Sequence, residues 1–213
     1  MEYFLKRFNQ KLSGTNELPK ISTSLLLLPP SILKEVIDTI STAISLFPII
    51  SQYLTSVNLR FFGLSTIAAI MPKEDKEGNI TFELQLNVFR WLSNSIRRQL
   101  KDDFDSGISS TSTIAGTIMH EMVHVLNGII ILQNRPSTFW IDWNSNLTAK
   151  NMLLAANFDF QSDAKFVSGY ATTDEGELLA EALSAALIGE LSAMDSIKNK
   201  EVKLLQDVIN YFS

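Results

Sequence analysis

The 213-residue chain has no cysteine, only two histidines, nine glycines and six prolines. Without thiols it can form no disulfide, no thiolate metal site and no cysteine nucleophile, so any metal must be held by nitrogen and oxygen. Positive charge is also scarce. Eighteen Lys and Arg against 23 Asp and Glu leave a net charge of −5, and the basic residues are scattered, so nucleic acid is not an expected partner. There is no internal repeat and no low-complexity tract. A membrane-spanning run is missing too: the densest apolar stretch, Ile21 to Leu33, is broken by Pro29 and Pro30, far short of the roughly 20 apolar residues a transmembrane helix needs. Nor does that stretch read as a signal peptide, because its apolar core is very short and no small-residue cleavage site follows. Leu25 to Leu28 are too apolar to lie in water and are expected to pack on the domain or in a partner interface. Residues 1–30 therefore read as an N-terminal arm or pro-segment, a possible protein-partner surface, ahead of one main domain over 31–213.

What is present is patterned. In "SILKEVIDTISTAISLF", Ile32, Val36, Ile37, Ile40 and Ile44 recur at helical spacing after a plausible N-cap, Ser31. The segment "ITFELQLNVF" alternates, with Ile80, Phe82, Leu84, Leu86 and Val88 on one face and Thr81, Glu83, Gln85 and Asn87 on the other. With the charged turn "KEDKEGN" and the β-branched stretch before it, this predicts an antiparallel hairpin. Trp91 to Phe104 reverts to helical spacing, and "DSGISSTST" supplies Ser and Thr to cap the next helix. Downstream, "NGIIILQNRPSTFWIDWNSN" reads as irregular, Asn146 to Ala156 as a short helix, and "NFDFQSDAKFVSGY" as a loop or short extended piece. Two helices, roughly Asp174 to Glu190 and Ile197 to Tyr211, close the chain. The expected class is α+β, a small antiparallel sheet ahead of a helical C-terminal half.

Both histidines lie in "TIMHEMVHVLNG". Residues four apart on a helix project from one face, so His120 and His124 can close on one ion. Zinc accepts neutral imidazole nitrogen at roughly 2.0–2.1 Å, and its catalytic sites keep three protein ligands and one open position. Glu121, about 100° around the helix from His120, sits near such a metal without being directed onto it. That suits a general base, which takes the proton of a zinc-bound water as the water attacks a carbonyl. Two histidines can share a helix face by accident. Here Ile114, Ile118, Met119, Met122, Val123, Val125 and Leu126 make most of the helix apolar, as expected of an active-site helix running through a core.

The third ligand cannot be a histidine. Taken together, "HEMVH" and "SGYATTDEGELLAEALSAAL" resemble the zinc metallopeptidases of the anthrax lethal-factor type. There an HExxH helix is followed by S-x-Y-(A/G), five residues, then E-x-x-A-E. Ser168, Tyr170, Ala171, Glu177, Ala180 and Glu181 fall on that pattern without a gap. The resemblance covers the second half of the chain. It implies a zincin-like fold with an HExxH active-site helix and a gluzincin ligand set in which Glu177 joins His120 and His124 on zinc. It further implies that Tyr170 donates a hydrogen bond to the developing oxyanion and that Glu181 lies behind the ligands. Asp174 stands where the family usually has Asn, and Leu178 and Leu179 replace common aromatics. Such domains occur in injected toxins and phage-encoded proteins, so a secreted, injected or virion-associated protein fits, and the compartment stays open.

Other roles exist for each residue. Glu177 lies three residues after Asp174, the spacing of a helix N-cap and its N3 carboxylate. Tyr170 could be a packed surface aromatic. Glu181 could orient a histidine or face solvent. The expectation is a zinc-dependent endopeptidase acting on a protein or peptide substrate, with the strand Ile80 to Phe89 holding that substrate by strand addition if it forms the sheet edge beside the cleft. The alternative is an assembly or structural protein that uses a zincin-like fold as a partner-binding module.

Overall fold

The computed structural model describes residues 18–63, 66–93 and 95–213. The first 17 residues of the expected arm lie outside the described residues. The chain divides into two compact units, one ending at Ile96 and the other running Arg97–Ser213.

The first unit is built around four strands: β1 (Lys20–Ile21), β2 (Leu54–Arg60), β3 (Ala68–Glu74) and β4 (Ile80–Asn87), in the order β1-β2-β4-β3. The hairpin expected from the alternation is there. β3 and β4 pair antiparallel from Ala68 opposite Leu86 to Glu74 opposite Ile80. The sheet is mixed rather than antiparallel, however, because β1 pairs parallel with β2 and β2 parallel with β4. A parallel pair needs a crossover, and α1 (Pro30–Leu46) lies in the one between β1 and β2. β4 is also not a sheet edge. Its backbone is bonded on both sides, which removes the strand-addition role expected for Ile80 to Phe89; the edges among the described strands are β1 and β3.

The polar face of β4 is not washed by water either. Glu83 is buried and held by Lys73, by Gln85 Nε2 at 2.6 Å and by Ser56 Oγ at 3.1 Å. Asn87 donates to the carbonyls of Gly63 (2.6 Å) and Thr66 (2.7 Å) and accepts from Phe89 N, so it ends the strand and caps α2 (Val88–Trp91). Val88 therefore starts a helix instead of extending the strand.

α1 buries the predicted stripe of Ile32, Val36, Ile37, Ile40 and Ile44. Its N-cap is Pro29 rather than Ser31, since Pro30 at the first helical position has the right φ and lacks an N–H that would be orphaned. The "LLLLPP" segment is part of this unit. β1 adds to the sheet, Ser22 caps a 3₁₀ turn over Thr23–Leu27, and Leu25 and Leu28 are buried. Three residues make one 3₁₀ turn, so those two leucines share a face and Leu27, 67% exposed, does not. The expected burial of Leu25 to Leu28 thus holds for two of the four.

The second unit is helical: α3 (Ile96–Asp105), α4 (Ile114–Asn134), α5 (Phe139–Ser145), α6 (Leu147–Ala155), α7 (Phe160–Val167), α8 (Glu175–Ile188) and α9 (Asp195–Phe212). Three expectations are corrected here. The helix expected over Trp91 to Phe104 is two helices, α2 and α3. The stretch expected to be irregular continues α4 to Asn134, passes through a 3₁₀ turn at Pro136–Thr138 and enters α5. The expected loop at Asn157 to Tyr170 contains α7, capped by Asp159, whose side chain accepts from Gln161 N at 3.0 Å. By length and composition α4 could cross a bilayer, but most of it is buried inside the protein. α8 packs against α4, α6, α7 and α9. α4 and α8 are the two helices that carry the predicted site.

Candidate metal centre

The site lies wholly in the second unit. Thr113 caps α4 by accepting from Gly116 N at 3.0 Å, which starts the helix so that His120 and His124 share a face one turn apart. α8 begins at its own cap, Asp174, which accepts from Glu177 N at 3.0 Å. The capping role is therefore filled by Asp174, and the Glu177 carboxylate is turned to the histidines.

Three ligand atoms converge. His120 Nε2 is 3.2 Å from His124 Nε2 and 3.1 Å from Glu177 Oε2, and His124 Nε2 is 3.5 Å from the same oxygen. Bonds of 2.0–2.1 Å to a tetrahedral ion put ligand atoms roughly 3.3–3.4 Å apart, so the triangle has the size of one face of such a coordination shell. Glu177 Oε2 is buried, and no aligned hydrogen bond reaches it despite the two nearby nitrogens. A buried acceptor left in this way marks a position that something else satisfies. His120, His124 and Glu177 form a group that could hold a metal ion.

Behind the triangle, His120 Nδ1 lies 3.0 Å from Glu181 Oε1. A proton on Nδ1, donated to that carboxylate, leaves Nε2 as the lone pair facing the metal position. Glu181 is 3% exposed and well anchored. Its Oε2 accepts from Ser110 N, the Ser168 hydroxyl hydrogen-bonds its carboxylate, and Ser110 Oγ donates to its backbone carbonyl at 2.9 Å. Burial works against charge on His120, but its contacts with Glu177 and Glu181 outweigh this and lift its pKa well above the ordinary histidine value. Burial likewise raises the two glutamates, and the histidines beside them reverse the sign and hold both carboxyls below the usual range.

Tyr170 opens a 3₁₀ turn over Tyr170–Thr172. The chain before it is fastened to the 107–108 loop: Gly169 N donates to Gly107 O at 2.7 Å and Tyr170 N to Ile108 O at 2.9 Å. Gly107 has φ +73°, a left-handed conformation that a side chain would oppose. The Tyr170 ring centroid is 5.9 Å from that of His120. The residue is 44% exposed, at the open side of the site. Partial burial, then the carboxylates of Glu177, Glu121, Glu181 and Asp174, push its phenol pKa up. Glu121 is buried beside His120.

The structure thus brings His120, His124, Glu177, Glu181 and Tyr170 together, and buries Glu121 on the helix that carries the histidines. It also adds others. Ser110 lies 71 positions from Glu181 and carried no signal. Asn127 did carry one, since it is three residues after His124 and seven after His120, on the same helix face. It lines a cavity of about 150 Å³ that touches His124 and Glu177 and is walled by Trp143, Asn146 and Asp174. Compared with known proteins, the chain matches no family model, no curated protein and no solved structure. Its function has to be argued from this site.

Proposed function

We propose that the protein is a zinc-dependent endopeptidase, with His120, His124 and Glu177 as metal ligands, Glu121 as general base and Tyr170 as oxyanion donor. One observation carries the reading: two imidazole nitrogens and a buried carboxylate oxygen meet at tetrahedral-edge distances, with a carboxylate fixed behind the first imidazole. Two neutral nitrogens and one oxygen form the donor set that zinc takes in hydrolytic sites with an open position. Bound there, zinc would supply a Lewis acid to polarise a carbonyl and bring the pKa of a water towards 7.

The chain's own residues do the rest. Glu121 accepts the proton of the attacking water on its carboxylate and returns it to the leaving amine nitrogen. The Tyr170 hydroxyl donates to the carbonyl oxygen as negative charge develops there. Glu181 holds the His120 ring so that Nε2 points at the metal throughout.

The test pairs metal analysis with digestion of a peptide library. The wild-type protein should contain one zinc per chain and cleave peptides. Glu121→Gln should keep fold and zinc but lose about 10²- to 10⁴-fold in rate, because the amide has the same shape and cannot take the proton. Stoichiometric zinc with no cleavage of any peptide would favour the alternative of a zincin-like partner-binding module.

A further inference from the structure

We propose that Ser168 is a positioning residue that couples the two working parts of the site, the His120 ring through Glu181 and the Tyr170 turn through the amide of Ala171; naming those parts a zinc ligand and an oxyanion donor rests on the peptidase reading. Ser168 sits where α7 ends, with its N–H bonded to Ala164 O at 3.1 Å and its backbone extended at φ −165° and ψ 169°. It is buried.

One hydroxyl makes both links. Ser168 Oγ accepts from Ala171 N at 3.0 Å, and the proton left on the oxygen goes to the Glu181 carboxylate, which when ionised can only accept. Ala171 is fully buried and follows Tyr170 in the 3₁₀ turn, so its N–H is one of the orphans at the start of that turn, and Ser168 satisfies it. Tyr170 is thereby held on both sides, by Ile108 O at its own N–H and by Ser168 at the next. Glu181 reaches His120 Nδ1 at 3.0 Å with one oxygen and takes Ser110 N with the other, so the Ser168 hydroxyl is a third donor on this carboxylate. Hydrogen bonds in a chain polarise one another, and a hydroxyl that donates to a carboxylate becomes a better acceptor for an amide. Movement of Glu181 therefore loosens the Tyr170 turn, and movement of the turn loosens Glu181. A residue that only capped the turn would leave His120 untouched.

The experiment compares Ser168→Ala, Ser168→Cys and Ser168→Thr by two readouts that need no turnover. Cysteine nearly keeps the size of serine but is a weak donor and acceptor, so it decides if the alanine variant does not fold. Threonine keeps the hydroxyl, and the extended backbone at 168 suits a β-branched residue. In zinc titration against a competing chelator, Ser168→Ala and Ser168→Cys should bind about threefold to tenfold more weakly than wild type, less than the roughly 10- to 100-fold expected of Glu181 itself. In a Glu181→Ala background the same substitutions should cost nothing further, because Ser168 reaches His120 through that carboxylate. The second readout is ¹⁹F NMR of zinc-loaded protein labelled with 3-fluorotyrosine, with the Tyr170 signal identified by its loss in Tyr170→Phe. That signal should shift in the alanine and cysteine variants and return towards its wild-type position in Ser168→Thr. Unchanged zinc affinity in the folded variants, a full additional loss on top of Glu181→Ala, or an unmoved Tyr170 signal overturns the coupling. Peptide cleavage by wild type with either readout unmoved removes the role of Ser168 and leaves the peptidase standing. Both readouts as described, with no peptide cleaved by wild type, keep the coupling and remove the peptidase.

Discussion

Glu177 and Glu181 lie one turn apart on α8, and both carboxylates reach His120, Glu177 at Nε2 and Glu181 at Nδ1. The two ring nitrogens separate their roles. Glu177 is on the side of the ring where His124 also points, so its loss would remove one of the three proposed ligands. Glu181 touches no other ligand, and its loss frees only the ring orientation, which typically costs about 10- to 100-fold in affinity or activity. Glu177→Ala should therefore be largely zinc-free at low free metal, while Glu181→Ala should still bind zinc and work poorly; zinc titration against a competing chelator ranks them. Tyr170→Phe removes a hydrogen-bond donor and leaves an exposed ring in place. It should reduce kcat by about 10²- to 10³-fold, with KM and zinc affinity little changed. An unchanged kcat would return Tyr170 to a packing role. At this scale the convergence of the histidine pair was legible from spacing alone. The choice between the two glutamates was not, because a helix repeat places both on one face and only the position of His120 tells them apart.

α7 shows what the element scale adds. Its sequence, with Phe158 and Phe160 alternating with polar residues, reads as extended, yet Asp159 and Asp163 hold a helix start together. Asp159 accepts from Gln161 N, and Asp163 Oδ2 accepts from Asp159 N at 2.7 Å. The same oxygen takes Lys200 Nζ of α9 at 2.6 Å. Burial raises the Asp163 pKa, but these two donors more than compensate and hold its carboxyl below the usual aspartate range. A depressed folded-state pKa contributes stability above the unfolded value, about 3.9, and loses it as pH falls through the folded value. Asp163→Asn should therefore melt several degrees below wild type at pH 7, in line with roughly 1.5–3 kcal/mol for hydrogen bonds to a charged group. The gap should begin to narrow as pH falls below about 4 and close only below the folded-state value. Melting curves across that range check it, and a gap independent of pH would show that charge on Asp163 is not what joins α7 to α9. The cap at Asp159 was the signal in the sequence; phenylalanine alternation concealed it. Likewise α4 runs on through "IIIL" because burial of Ile129, Ile130 and Ile131 outweighs the weak helix preference of β-branched residues.

For the whole molecule, the three side chains proposed as ligands come from two helices, α4 and α8, that are joined in sequence by forty residues. An ion bound to both favours the folded state over a chain in which those helices are apart, by about 2.7 kcal/mol when free metal is 100 times its dissociation constant. Chelation should accordingly lower the melting temperature by several degrees and zinc should restore it, with no such shift in Glu177→Ala. A melting temperature indifferent to both would mean that no ion bridges α4 and α8. The sequence by itself determined the α+β class, the β3–β4 hairpin, the amphipathic α1 and the placement of two histidines and a glutamate on one apolar helix. Each of these rests on local periodicity, which the backbone geometry of a helix or strand converts directly into a face. Tertiary structure alone decided the rest. It made the sheet mixed and β4 interior, because strand order depends on pairings between distant segments. It buried Glu83 by supplying Lys73, Gln85 and Ser56 around it. It also set Ser110 behind Glu181, since no local pattern records which groups a fold brings within hydrogen-bond reach across 71 residues.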